Sequence, residues 1–394
     1  MDLSVITAPG LETVTLREIE LLGIPAEVEE TGVIAARGDR EALYQLNLHL
    51  RTATRVLVRS AQFHAASFAE LERRARDVPW ERSVASDRPL RLRVTCRKSR
   101  LYHSDAVAER VALAVRRRLG THVEWSAGGD GDTRADALAD TQLIVVRLMR
   151  DVCTVSFDTS GAALHARGYR EAVGRAPLRE SLGAALLLAS EWSPDTPLID
   201  PMCGSGTIAI EAALLARRIA PGLNREFSFQ QWPEFEGAVW DRLRDEASSA
   251  QLDAAPAPII ASDRDAGAIT ASFANAERAG VSGDLVVRRA GISELAPPEG
   301  PPGLVVANPP YGVRVGERGP LHALYGTLGE VLRERCPGWQ VVLLTADPQL
   351  ERATRLRLSE RFRTRNGGIP VRCVTARIPG RTGSATNPRS QPAS

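Results

Sequence analysis

The segment 198–213, LIDPMCGSGTIAIEAA, constrains this chain more than any other. A short apolar run suited to a buried strand ends on Asp200, two glycines follow at once, and an apolar helical pattern opens at Thr207. Strand, tight glycine turn and helix in that order call for a crossover unit. The glycines let the backbone turn sharply and approach a ligand, and the helix then packs back on its strand. The alternation continues downstream. "PIIAS", "LVVRRA", "GLVVAN" and "WQVVLLTA" read as strands, with "AGAITASFANAERAG" and "ALYGTLGEVLRER" as helices between them. Strands alternating with helices specify a parallel, doubly wound sheet. The closing pair "RFRTRN" and "VRCVTARI", joined through "NGGIP", reads as antiparallel.

Gly204-x-Gly206-x-x-Ala209 satisfies the relaxed dinucleotide fingerprint, so the loop alone leaves two ligands open, a dinucleotide or S-adenosylmethionine. Two acids separate them. A carboxylate at Asp200 would repel a pyrophosphate and attract a methionine ammonium. Asp263, ending "IIASD", can accept both ribose hydroxyls, and it lies far beyond the ~20-residue spacing of the dinucleotide pattern. Either acid alone could serve simply as a turn cap; two at successive strand ends argue for a ligand. Pro201, Cys203, Thr207 and Arg264 accompany them. Cys203 reads as a small apolar filler rather than a nucleophile, because methyl transfer to an amine needs no covalent intermediate. The stretch 217–249 between the acids is an insertion in which Trp232 and Trp240 read as core anchors.

"VVANPPYG" ends a buried strand on Asn308, Pro309, Pro310 and Tyr311. Neither proline can donate to a sheet ladder. In a doubly wound sheet, ligands sit outside the carboxyl ends of the strands. An exocyclic amine is a poor nucleophile because its lone pair is delocalised into the ring. The Asn308 side-chain oxygen and the Pro309 carbonyl can hold its hydrogens and localise that pair, and the prolines fix the carbonyl's direction. Tyr311 offers a face on which a splayed-out base can stack.

The first 157 residues have a different texture. Helices are expected after a cap at Asp39, after a cap at Ser67, and up to a stop at Gly120; a strand hairpin turns near Arg150 and Asp151. Cations cluster here: Arg97, Lys98 (the only lysine of the chain), Arg100, Arg110, Arg116, Arg117 and Arg118, facing in sequence only Asp105 and Glu109. They form either a solvated face or a phosphate-tracking surface. Net charge is only +2, so composition alone does not announce nucleic acid. The five cysteines are scattered without a C-x-x-C pair, which argues against a disulfide framework and a zinc site. No apolar run approaches the ~20 residues of a membrane span. A reducing cytoplasm is the expected compartment.

Together "DPMCGSGTIAIEAA" and "NPPYG" resemble the class I methyltransferases that modify exocyclic or amide nitrogens. "LHARGYREAVGRAPLRESLGAALL", "APGLNREFSFQQWPEFEGAVW" and the N-terminal half narrow the resemblance, over about residues 1–380, to THUMP-domain RNA methyltransferases of the RlmL type, which act on guanine N2 in 23S ribosomal RNA. The resemblance implies an α/β fold: a Rossmann-like class I methyltransferase domain preceded by an α+β ferredoxin-like/THUMP RNA-binding module. It implies a ferredoxin-like unit at 1–60, THUMP at 61–157, a linker at 158–180 and the catalytic domain at 181–380; the tail 381–394, polar and low in apolar residues, is expected to be disordered. Carried over by position, Asp200, Gly204 and Gly206 line the methionine end of S-adenosylmethionine, Pro177, Leu178 and Arg179 lie beside them, Asp263 holds its ribose, and Asn308 also borders the cofactor. Asn308, Pro309, Pro310 and Tyr311 form the catalytic turn. The acidic residue expected after the third strand, to meet the adenine amine, is absent from "RRAGISEL"; a backbone N–H and Ile292 stand in its place.

RNA is thus the expected partner, 23S rRNA first and tRNA second, with neither metal nor membrane. Methylation of a protein glutamine amide uses the same turn but leaves the N-terminal half without a role. A non-catalytic RNA-binding factor would not keep Asp200, the glycine loop and the N-P-P-Y turn together. A nicotinamide dehydrogenase gives that turn nothing to do.

Overall fold

A computed structural model of the chain describes residues 1–84, 89–120, 123–126, 141–170, 178–311 and 318–380. Pro177, most of the loop 126–140 and the tail 381–394 lie outside the described residues.

The N-terminal half comprises β1 (Asp2–Thr7), α1 (Glu12–Leu21), β2 (Ala26–Glu30), β3 (Val33–Arg37), α2 (Arg40–His49), β4 (Ala53–His64), α3 (Phe68–Arg76), β5 (Leu90–Arg97), α4 (Ser104–Leu119), β6 (Val123–Ser126), β7 (Gln142–Met149) and β8 (Val152–Asp158). Its strands form one sheet ordered β2-β3-β1-β4-β8-β7-β5-β6. The expected punctuation is present. Asp39 and Ser67 accept N–H groups of the first turns of α2 and α3, and α4 stops at Gly120, where φ is +67°. Arg150 and Asp151, both at positive φ, turn β7 into β8. The boundary expected at 60/61 falls inside β4, whose Ala53–Val58 part pairs with β1 and whose Leu57–His64 part pairs with β8. One strand therefore belongs to both N-terminal units.

The C-terminal half comprises α5 (Glu180–Ser190), β9 (Leu198–Asp200), α6 (Thr207–Ala216), α7 (Gly237–Ser249), β10 (Ile259–Asp263), α8 (Ala266–Arg278), β11 (Leu285–Arg289), β12 (Leu304–Ala307), α9 (Arg318–Arg335), β13 (Gln340–Thr345), α10 (Pro348–Ala353), β14 (Ser359–Asn366) and β15 (Ile369–Arg377). Strand order is β11-β10-β9-β12-β13-β15-β14. The first five strands are parallel, and β15 runs antiparallel to both β13 and β14, as the sequence pattern predicts. Chain order reverses between β9 and β12, which makes their carboxyl ends the switch point where ligands bind.

The insertion between α6 and β10 ties the halves together. Phe227, Phe229 and Trp240 share a buried core with Tyr44 of α2, the Tyr44 and Phe229 rings stacking at 4.5 Å. Arg51 reaches across to donate to the Ile219 carbonyl at 2.6 Å, just past the end of α6. Trp240 is a buried anchor as expected, while Trp232 is half-buried, its ring edge-on to Phe157 at 6.3 Å.

Candidate active site

The site is assembled at the carboxyl ends of β9, β10 and β12. Asp200 pairs in register with Ala261, which sets Asp263 two residues further along the neighbouring strand. The loop after β9 is stitched to β10: the Cys203 N–H donates to the Ser262 carbonyl at 3.0 Å, and the Gly204 N–H to Asp263 Oδ2 at 3.1 Å. Gly204 and Gly206 adopt φ of +53° and +85°. Positive φ suits glycine, and at Gly206 a Cβ would also meet Ser272 Oγ at 2.3 Å. Thr207, buried, then opens α6. Leu178 is buried and Arg179 exposed at the start of α5, the Leu178 carbonyl accepting from Arg170 at 2.6 Å.

Both acids do act as turn caps. Asp200 Oδ1 accepts from the Met202 N–H at 3.3 Å, and Asp263 Oδ1 from the Asp265 N–H at 3.0 Å. Capping does not satisfy Asp200. It is 1% exposed, and its Oδ2 has no hydrogen-bond partner among the described residues. Burial lifts its pKa to about 8, the Met202 N–H opposes the rise, and the Asp263 charge adds to it. A buried carboxylate with an idle oxygen is costly until a cation arrives, and the ammonium of S-adenosylmethionine fits that need. Asp263 is better satisfied, each oxygen holding one N–H with lone pairs to spare. Burial pushes the Cys203 thiol well above its ordinary value, consistent with an inert filler.

At the end of β12, Asn308 is half-buried and Pro309 buried, while Pro310 is exposed. Asn308 Oδ1 is shielded from solvent and has no partner among the described residues. A buried acceptor left unmade costs about 1–3 kcal/mol, so this oxygen too fits a donor that none of the described residues supplies. Tyr311 packs against the sheet core, and its hydroxyl accepts from the Asn366 side-chain amide at 2.7 Å. Asn366 closes β14 before the turn Gly367-Gly368. Sequence reading missed it, since nothing local to 366 points to a residue at 311. Arg264 is exposed, its carbonyl accepting from Arg289 at 3.1 Å. Ile292 opens a short turn over the partly buried end of the β11 connection and packs against the core that contains Leu295. Among the described residues no cluster of His, Cys, Asp and Glu could hold a metal ion, and no helix is long and apolar enough to cross a membrane.

A doubly wound sheet with an antiparallel final strand pair, a glycine turn over an unsatisfied acid and an N-P-P-Y turn at the switch point define a class I methyltransferase. The chain belongs to the RMKL-like methyltransferases: the profile of that methyltransferase domain matches residues 167–375, and the profile of the RlmL ferredoxin-like domain matches 2–57. As a member of this family it is S-adenosylmethionine-dependent. A Synechocystis sp. protein whose name assigns it to the RNA methyltransferases is 33% identical over 92% of this chain and 93% of its own length. The ribosomal RNA large subunit methyltransferase K/L of Syntrophotalea carbinolica is 38% identical over 93% of this chain, which spans only 52% of that longer protein. Among solved structures, a Listeria monocytogenes protein described as a predicted N6-adenine-specific DNA methylase superposes with a TM-score of 0.83 at 34% identity, covering 96% of each chain. The methyltransferase SMU.472, crystallised with S-adenosylhomocysteine, superposes with a TM-score of 0.83 at 27% identity, covering 96% of this chain and 98% of its own.

Proposed function

We propose that this chain transfers the methyl group of S-adenosylmethionine to the exocyclic N2 of a guanosine in RNA, with 23S ribosomal RNA as the substrate and the cytoplasm as its place of work. The observation that carries the reading is the shielded Asn308 oxygen at the switch point, one strand from an oxygen of Asp200, both without a partner among the described residues. One seeks a cation and the other an uncharged donor, which is the pair of demands made by an amino-acid-bearing cofactor beside an amine.

S-adenosylmethionine supplies an electrophilic methyl group on a positively charged sulfur. In this reading Asp200 holds the methionine ammonium, Gly204 and Gly206 let the backbone pass close by, and Asp263 takes the ribose hydroxyls. Asn308 Oδ1 and the Pro309 carbonyl accept the two amine hydrogens, turning the nitrogen lone pair toward the methyl donor. Tyr311 stacks on the extruded base. The part of the N-terminal half that follows β4, up to residue 157, serves as the THUMP module that brings RNA to the site, the part before β4 is the ferredoxin-like unit, β4 is shared, and 158–180 is the linker to the catalytic domain. An exocyclic amine as the acceptor is supported by the amine-orienting turn, guanine N2 by the resemblance to the RlmL-type enzymes, and rRNA by the relationship to the large-subunit methyltransferase.

The test is a labelled-methyl assay in separate reactions with unmodified 23S rRNA, tRNA, duplex DNA and a protein extract, followed by digestion and identification of the product. N2-methylguanosine in rRNA is the expected product. The same nucleoside from tRNA moves the substrate and keeps the chemistry. N6-methyladenine in DNA, or methylglutamine in protein, refutes the reading.

A further inference from the structure

The loop 97–103 at the end of β5 and the 150–151 turn between β7 and β8 meet in one tip. We propose that this tip docks a single-stranded segment of RNA, with the Tyr102 ring stacked on a base and Lys98 and Arg100 on the adjoining phosphates. The inference rests on the RNA reading above and adds to it where RNA is held away from the reacting base.

Tyr102 leaves 68% of its surface in water, an unusual position for a large aromatic side chain. Its ring lies 4.1 Å from that of His103, tilted to it by 41°, which leaves the other face of the tyrosine open. Arg97, Lys98, Arg100 and Arg150 belong to the same tip and are all exposed. The nearby acids are Asp151 and Asp105. Asp151 is occupied: its Oδ1 accepts the Arg100 N–H at 2.7 Å, and its Oδ2 stands 3.6 Å from the Arg100 Nε. The Asp151 N–H donates to Ser99 Oγ at 3.0 Å and the Arg150 N–H to the Arg97 carbonyl at 3.2 Å, so the loop that carries Lys98 and Arg100 is tied to the 150–151 turn before any ligand arrives. An exposed aromatic face with cations on the same loop is how single strands are bound: each base stacks and each phosphate meets a charge.

The other cationic face, on α4, is a weaker candidate. Its arginines seem unopposed in sequence, but the fold brings Glu72 against Arg117 and, at 3.8 Å, Arg110, while Arg118 holds both oxygens of Glu81 at 2.6 and 3.0 Å. The Arg117 and Arg118 pairs are closer than the 3.6 Å contact of Arg100 with Asp151 and cancel more of the charge that phosphates would meet.

Because Lys98 is the only lysine, an amine-reactive acylating reagent labels this tip and the N-terminus alone. A labelled single-stranded rRNA fragment is expected to protect Lys98 and leave the Met1 amine reactive. By fluorescence anisotropy, Tyr102→Ala is expected to bind the fragment roughly ten-fold more weakly and Tyr102→Phe like the wild type. Lys98→Ala with Arg100→Ala is expected to lower the slope of log affinity against log salt by roughly 1.4, about 0.7 per phosphate contact on a single strand. Arg117→Ala is expected to change little. Unchanged S-adenosylhomocysteine binding and melting temperature in each variant show that the fold is kept. Undiminished RNA affinity in Tyr102→Ala, with Lys98 unprotected, overturns the tip and leaves the RNA reading standing. A wild-type protein that binds no RNA at any salt concentration overturns both.

Discussion

Asp200 makes cofactor binding depend on pH in a calculable way. Burial holds its pKa near 8, so at pH 7 only about one molecule in eleven carries the carboxylate. A ligand ammonium needs that charged form. Binding at pH 7 therefore draws a proton off Asp200, at a cost of about 1.4 kcal/mol relative to a site already ionised, and at pH 6 the cost is about twice that. The dissociation constant for S-adenosylhomocysteine should fall about ten-fold from pH 6 to pH 7 and level off above pH 8. Calorimetry at pH 7 in two buffers of different ionisation enthalpy should count close to one proton released per ligand bound. Asp200→Asn should bind weakly at every pH, with neither slope nor proton release. A flat affinity between pH 6 and 8 with no proton exchange in the wild type would refute the reasoning, because Asp200 would then either be ionised before the ligand arrives or take no part in holding its ammonium.

The same group shapes stability with the opposite sign. A carboxyl whose folded pKa is raised favours the folded state below the unfolded pKa of about 4, and loses that contribution as pH rises through about 8. The ligand-free protein should thus lose stability through Asp200 across that window. S-adenosylhomocysteine should raise the melting temperature more at pH 8 than at pH 6, since it binds the ionised folded form.

Asn308→Ala should keep S-adenosylhomocysteine affinity within about two-fold and lower methyl transfer by about 10²-fold or more, the usual effect of removing one oriented polar contact at a reacting centre; normal turnover would end its amine-orienting role. Gly206→Ala should weaken cofactor binding at least ten-fold by calorimetry, because the residue sits at φ +85° and its Cβ would strike Ser272; native affinity would mean that the turn relaxes freely. Asn366→Leu removes the donor to the Tyr311 hydroxyl and should lower kcat with S-adenosylhomocysteine binding intact; in a Tyr311→Phe background the same change should cost nothing more, and an additive loss would show that Asn366 acts elsewhere.

What could be read in advance follows the range of the interactions. The Asp39 and Ser67 caps, the Gly120 stop and the Arg150-Asp151 turn are decided within a few residues, and each lies where the pattern puts it. The glycine loop and the two acids were legible because a strand–turn–helix unit is local and the parallel sheet then aligns its strand ends. β4 hid its double membership because alternation tells which face is buried and not which strand lies alongside, so a partner that changes along one strand leaves no trace. The α4 arginines looked free because their carboxylates come from Glu72 and Glu81, on a neighbouring helix and turn. The insertion's aromatics were recognisable as anchors, but that Tyr44 would stack on Phe229 depended on how the two halves meet. Asn366 was hidden for the same reason, 55 residues from the hydroxyl it holds. The chemistry of the site is therefore written in short motifs, whereas the orientation of its parts is written in pairs that only the fold brings together. That division bears on how variants will fail: changes in the short motifs should remove cofactor binding or methyl transfer outright, while changes in the distant partners should loosen geometry and lower rate by smaller factors that vanish when the partner is also removed.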